Sequence, residues 1–378
     1  MADTYTEALD QRQLSILRLA QSMIKEISNP ALDEAYRAAR LAILDRDAPR
    51  TLTQLDALKK AMTNAYLVEL EKGFKPLTEE LGDLSVEEAA FMARTMTEFA
   101  PETFALPADK VVKRYVDNSV MNFAGKNEQA FSWDEYLDTF YATSAKNLRG
   151  SVTNVWREQS LTGSLPTLNH YVDRIRLTNN QVNKKDAETI VRSGVTHFST
   201  QGRMAFYDDN KDVIEKLYIN VTFDNKISKT CVSISSRYGP GTDGFTMDNQ
   251  PPEGLPGYHP NCRSGVIAVA IGQDIEGDRQ AIEGRKGKEA TDAFKAREDR
   301  LRTKSKVTYK GKKDDVLIAK EISAATPIAK FLRDQPAYFV DDVLGKTAGL
   351  AFRKGELDLS QLTTGNLRPK TLAELKLE

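Results

Sequence analysis

The stretch TCVSISSRYGPGTDGFTMDNQPPEGLPGYHPNCRSGVIAV, residues 230–269, holds both cysteines of the chain, one of its three histidines and a dense run of Gly and Pro. Proline removes backbone donors and glycine favours turn dihedrals, so the stretch reads as a non-helical excursion. It departs from residues 223–228 and Cys231, and returns through His259-Pro260-Asn261-Cys262-Arg263-Ser264. Residues 266–271 then form a short β-branched run, the pattern of a buried strand. Residues 216–223 alternate as a strand leading in. Cys, His and Arg therefore close the excursion at its two ends.

Upstream, residues 186–208 carry Ile190, Val191, Val195, Phe198, Ala205 and Phe206 on one helical stripe. Gly194 and Gly202 weaken a helix by about 1 kcal/mol each relative to Ala, which predicts close helix packing at both. His197 lies near that stripe and reads as a packed or surface residue rather than a ligand.

The first 160 residues read as six or more amphipathic helices. Leu14, Leu17, Ile24 and Ile27 recur at helical spacing until Asn29-Pro30 interrupts them. A second helix spans residues 31–44. Thr51 with Gln54 is a capping box for a third, with Leu55, Leu58, Met62 and Ala65 on one face and Gly73 as its stop. Ser85 with Glu88, and Ser132 with Glu135, predict two more helix starts. Trp133, Tyr136, Phe140 and Tyr141 share one helical face and read as core. The expected fold is α+β and predominantly helical. It has a helical domain at residues 1–162 and a helix plus strand-and-loop module at 163–278, with its loop and strand around Cys231 to Ile271. A basic linker or helix follows at 279–313, then a short helical tail at 314–378.

The chain has 378 residues, longer than a single core usually serves. Lys plus Arg (53) nearly balance Asp plus Glu (54), so global charge does not mark a nucleic-acid binder. Residues 279–313 are the local exception, with 13 Lys or Arg against 5 Asp or Glu. Arg285, Lys286, Lys288, Arg300, Arg302, Lys304, Lys306, Lys312 and Lys313 are the candidate contacts there for DNA phosphates or an acidic protein surface. The plainer reading of the segment is a solvated helix and linker. No apolar run is long enough to span a membrane, and MADTYTEALDQRQ lacks a signal-peptide layout, so assembly in a cytoplasm is expected. Two cysteines are there expected as free thiols.

Cys231, His259 and Cys262 offer three metal ligands at best, with Asp224 or Asp243 as conceivable fourths, and no C-x-x-C pair exists. A hydrogen-bonded thiol pair or a disulfide is simpler, so the expectation is no metal and no cofactor. Cys262 with His259 has the residue types of nucleophilic catalysis, but neighbours at i and i−3 in a proline turn argue against it, and no pocket is suggested. Phosphate-loop, dinucleotide, zinc-protease and nucleophile-elbow motifs are missing from the sequence, so no enzyme is expected.

Four blocks occur in order: VRSGVTHFSTQGRMAFYDDNKDVI (191–214), TFDNKISKTC (222–231), the Gly and Pro loop, and PGYHPNCRSGVIAV (256–269). The set resembles the head morphogenesis, or minor head, proteins of tailed bacteriophages typified by phage Mu protein F. The segments DQPAYFVDDVLGKTAGLAFRKGELDLSQL (334–362) and LRPKTLAEL (367–375) are similar to the C-terminal end of that family. By this resemblance Cys231 matches the first family cysteine, and His259 to Arg263 match the closing motif. Many members carry further cysteines where this chain has Ile234 and Ser264, which favours a hydrogen-bonded loop closure by Cys231, His259, Cys262 and Arg263. Arg263 is expected to tie loop carbonyls together. The resemblance implies a structural virion protein at the head or portal vertex. Its implied partners are the portal protein, the major capsid protein and packaged DNA, with a role in packaging or ejection and no catalysis. The alternative is a metal-dependent nuclease or toxin-type enzyme built on Cys231, His259 and Cys262.

Overall fold

The computed structural model describes residues 4–121, 123, 130–285 and 316–377. Among them the chain is mostly helical with two small antiparallel two-stranded sheets, as the α+β reading expects. In order, the elements are α1 (Tyr5–Met23), a π-helical turn (Ile24–Ser28), α2 (Asn29–Leu44), α3 (Leu52–Phe99), α4 (Asp109–Asp117) and α5 (Trp133–Leu161). Then come α6 (Leu168–Thr178), a second π-helical turn (Asn179–Asn183), α7 (Lys184–Asp209), β1 (Ile214–Asn220), α8 (Lys229–Tyr238) and β2 (Gly265–Ala270). The antiparallel pair β3 (Asp278–Arg285) and β4 (Val316–Ser323) precedes α9 (Ile328–Asp334), α10 (Ala337–Leu344), α11 (Lys346–Lys354) and a 3-10 turn (Leu359–Leu362).

The helical first half contains fewer, longer helices than the sequence predicts. Asn29-Pro30 does not end a helix. A π turn bonds Asn29 N to the Ile24 carbonyl, so the donor that Pro30 lacks falls at the widened turn and α2 continues from α1. The buried residues of α1 are Thr6, Leu9, Ile16, Ala20 and Met23, while Leu14 is 49% exposed.

Helix α3 starts at the expected box of Thr51 and Gln54 but runs 48 residues, through Gly73, Pro76 and Ser85. Gly73 is a contact rather than a stop, since a Cβ there would lie 2.5 Å from the Ala31 Cβ on α2. Ser85 caps nothing; its hydroxyl donates to the Gly82 carbonyl inside the helix. Tertiary burial of Leu70, Phe74, Leu77, Leu81 and Leu84 overrides these local stop signals. The box of Ser132 and Glu135 does start a helix, α5.

Two clusters of buried side chains form the interior, and α3 and α7 run through both. One gathers α1, α2, α5, α6 and the first halves of α3 and α7; Trp133, Tyr136 and Phe140 are buried in it and Tyr141 packs against it, as expected. The other gathers the ends of α3 and α7 with both sheets and the C-terminal helices. Between them the two long helices touch backbone to backbone. A Cβ on Gly202 would collide with the Ser85 carbonyl, and one on Gly194 would lie 2.7 Å from the Trp133 ring. One turn on from Ser85, Glu88 is fully buried and accepts Arg203 Nε at 2.7 Å and Arg12 Nε, which pins α1, α3 and α7 together.

Strands β1 and β2 pair antiparallel from Ile214↔Ala270 to Asn220↔Gly265. That pairing brings the two ends of the excursion together. Residues 279–285, expected as the start of a basic linker or helix, instead belong to β3, which pairs with β4 from Asp278↔Ser323 to Arg285↔Val316. Residues 316–323 of the expected helical tail form that second strand. Arg279 is buried rather than solvated. Its guanidinium donates to the Val221 carbonyl and lies over the Phe223 ring, 4.3 Å from the centroid. Phe223 in turn stacks on Phe331 of α9 at 4.6 Å.

Candidate functional site: a buried Cys-His-Cys cluster

The excursion does not begin as a loop. Residues 229–238 form α8, because Ser228 caps it, accepting Cys231 N at 3.1 Å, and the Gly and Pro residues begin only at Gly239. Thr230, Cys231, Val232, Ser233, Ile234 and Ser235 are buried. Cys231 thus sits in the first turn of a helix, at its positive end. Helix α8 is held from the C-terminal side: Thr230 Oγ1 donates to the Leu367 carbonyl at 3.2 Å, and Ser233 Oγ to the Ser360 carbonyl at 3.0 Å.

The return motif is a tight turn. Cys262 N donates to the His259 carbonyl at 3.1 Å, with Pro260 second and Asn261 third at φ +60°. Proline presets the second position of such a turn, and Asn tolerates left-handed dihedrals at the third. The turn is fastened to α7, where Thr196 Oγ1 donates to the Cys262 carbonyl at 2.6 Å and Asn261 N to Ser193 Oγ at 3.3 Å. A four-residue turn returns on itself, so its first and fourth side chains lie together. The spacing that argued against cooperation between His259 and Cys262 is what permits it.

The three side chains meet. Cys231 Sγ lies 3.1 Å from His259 Nε2 and 3.9 Å from Cys262 Sγ, and one ligand atom from each of the three falls within 4.8 Å of the others. Both cysteines are buried and free. Ser228 Oγ lies 2.9 Å from His259 Nε2, and Ser264 Oγ donates to Cys231 Sγ at 3.3 Å. These two hydroxyls are part of the site and were not singled out from the sequence; Ser228, three residues before Cys231 at a helix start, carried a capping signal that could have found it.

The hydrogen bond from the Cys231 thiol and the contact with His259 hold Cys262 well below the ordinary thiol range, against the effect of burial. The same hydrogen bond, with burial, pushes Cys231 well above it. Burial opposes charge on His259, yet hydrogen bonding to Cys262, its charge and the Pro260 carbonyl carry the imidazole above its usual value.

Arg263 does not tie loop carbonyls. Its Nη1 and Nη2 meet the Asp224 carboxylate at 2.5 and 3.0 Å, a two-pronged pair that keeps the guanidinium charged. Asp224, a conceivable metal ligand in the sequence, is thereby engaged, and Asp243 is exposed and outside the cluster. A cleft of about 630 Å³, which the sequence did not suggest, adjoins the cluster and is lined by His259 to Arg263, by Leu14 and Leu17 of α1, and by Thr196.

His197 lies elsewhere, buried, with Nε2 2.8 Å from Ser119 Oγ; burial lowers its pKa to about 4. Of the basic candidates, Arg285 ends β3, and Lys286, Lys288, Arg300, Arg302, Lys304, Lys306, Lys312 and Lys313 lie outside the described residues. Among the described residues no helix is long and apolar enough to cross a membrane.

Comparison of the chain with protein-family models, curated proteins and solved structures finds no match.

Proposed function

We propose that this chain is a structural minor head protein of a tailed bacteriophage, acting in head assembly beside the portal and in handling of the packaged DNA, without catalysis. The observation that carries the reading is the way the resembling blocks use one another. Helix α7 holds the His-Pro-Asn-Cys turn through Ser193 and Thr196, the turn faces Cys231 on α8, and α8 bonds to the tail at Ser360 and Leu367. Segments far apart in sequence and alike in order to one family thus depend on each other for burial. The excess of positive charge at residues 279–313, 13 Lys or Arg against 5 Asp or Glu, supports contact with DNA phosphates.

The test is mass spectrometry and immunogold labelling of purified virions from the phage that encodes the chain. The expected result is a protein present in few copies, localised to one vertex. Virions that lack it refute the proposal. A metal-dependent nuclease or toxin built on Cys231, His259 and Cys262 is the second reading, favoured by the cleft beside the cluster; cleavage of DNA by the purified protein, lost in Cys262→Ser, would replace the first reading with it.

A further inference from the structure

We infer that Cys231, His259 and Cys262 bind one zinc ion through two sulfurs and Nε2, with a water from the adjoining cleft as fourth ligand, and that the ion fastens the ends of the excursion. The distances carry it. A tetrahedral ion at about 2.3 Å from each sulfur sets them about 3.8 Å apart, and Cys231 and Cys262 stand at 3.9 Å. A disulfide needs about 2.05 Å, so at this separation the two sulfurs stand as free thiols spaced for an ion between them. With a metal–nitrogen distance of about 2.0 Å, the sulfur-to-nitrogen edge is about 3.5 Å, and the imidazole at 3.1 Å need retreat only a few tenths of an ångström.

The surroundings fit the same ion. His259 Nδ1 is 2.9 Å from the Pro260 carbonyl, so its N–H donates there and the lone pair of Nε2 faces the sulfurs. This is the outer hydrogen bond that fixes a ligating histidine. Two thiolates and a neutral imidazole cancel the charge of a divalent ion, which suits a buried place, and Arg263 is already balanced by Asp224. Two sulfurs and one nitrogen favour zinc over the harder magnesium or calcium. Among the described residues no fourth Cys, His, Asp or Glu joins the cluster. Ser228 and Ser264 offer neutral hydroxyls, poor zinc ligands: Ser264 bonds Cys231, and Ser228 Oγ, 2.9 Å from Nε2, gives up that contact to the ion. The cleft along His259, Cys262 and Arg263 gives water its way in.

Metal binding is a property of the purified chain, whatever its place in the virion. The full chain, purified with reductant, is stripped with a chelator and titrated with Zn2+ or Co2+ alone. Elemental analysis is expected to give one zinc per chain. The cobalt form is expected to show the intense visible bands and sulfur-to-metal charge transfer of a tetrahedral thiolate site. Cys262→Ser and His259→Ala are expected to bind at least tenfold more weakly. The cobalt spectrum of the unaltered chain decides the matter even if these variants fold poorly. No metal uptake, a cobalt spectrum without charge transfer, zinc retained unchanged in Cys262→Ser, or a Cys231–Cys262 disulfide in the reductant-purified protein would each overturn the inference.

Discussion

His197 gives a pH dependence whose size follows from its burial. It is 2% exposed on α7, packs at 5.7 Å and near a right angle to Phe198, and has Ser119 Oγ as its polar neighbour. With no carboxylate among these contacts to stabilise an imidazolium, burial lowers its pKa from 6.5 to about 4. In the unfolded chain the residue takes a proton near pH 6.5, and in the native state only near pH 4. Its contribution is therefore fully present above pH 6.5 and is lost as pH falls from 6.5 to about 4, below which both states are protonated. At about 1.4 kcal/mol per pH unit, the loss across that window is about 3 kcal/mol. Carboxylates titrate near the lower end, so the measurement is a difference. Urea unfolding of the natural chain and of His197→Gln, a neutral side chain able to bond Ser119, is followed between pH 7.5 and 4.5. The natural chain is expected to lose about 2 kcal/mol or more relative to the variant by pH 4.5. Parallel profiles would refute the reasoning.

Glu88→Ala is expected to cost about 3–5 kcal/mol in urea unfolding, because it leaves the Arg203 guanidinium buried without its counter-charge; Glu88→Ala combined with Arg203→Met should recover part of that loss. A loss under 1 kcal/mol would show that this contact between α3 and α7 relaxes. Arg263→Ala is expected to lower the melting temperature more than Arg263→Lys, and a double-mutant cycle with Asp224→Ala should give a coupling of about 1 kcal/mol, since the pair is two-pronged but partly solvated. Equal melting temperatures for the Ala and Lys variants, or a coupling near zero, would count against Arg263 as a clasp.

Much of the fold was legible because it depends on short-range pattern. The boxes at Thr51 and Ser132, the stripe of α7, and the strands expected at 216–223 and 266–271 and found at 214–220 and 265–270 each follow from residues within a few positions of one another. The close approaches at Gly194 and Gly202 were legible as well, since glycine inside a strong helical pattern has few other uses. Stop signals misled where burial outweighed them. Gly73, expected as a stop, and Ser85, expected as a start, both sit inside α3, and Glu88 became the buried counter-charge of Arg203 rather than a cap.

In the excursion, sequence alone determined which residues could do chemistry: two cysteines, a histidine and an arginine at the ends of a Gly and Pro run. It also gave the expectation that the ends meet, which the pairing of β1 with β2 fulfils. Tertiary structure decided what they meet as. A proline turn places His259 and Cys262 side by side, a helix begun by Ser228 brings Cys231 to them, and Asp224 withdraws to Arg263. Distances of 3 to 4 Å between side chains some 30 residues apart depend on how α7, α8 and β2 pack. No local pattern encodes that packing.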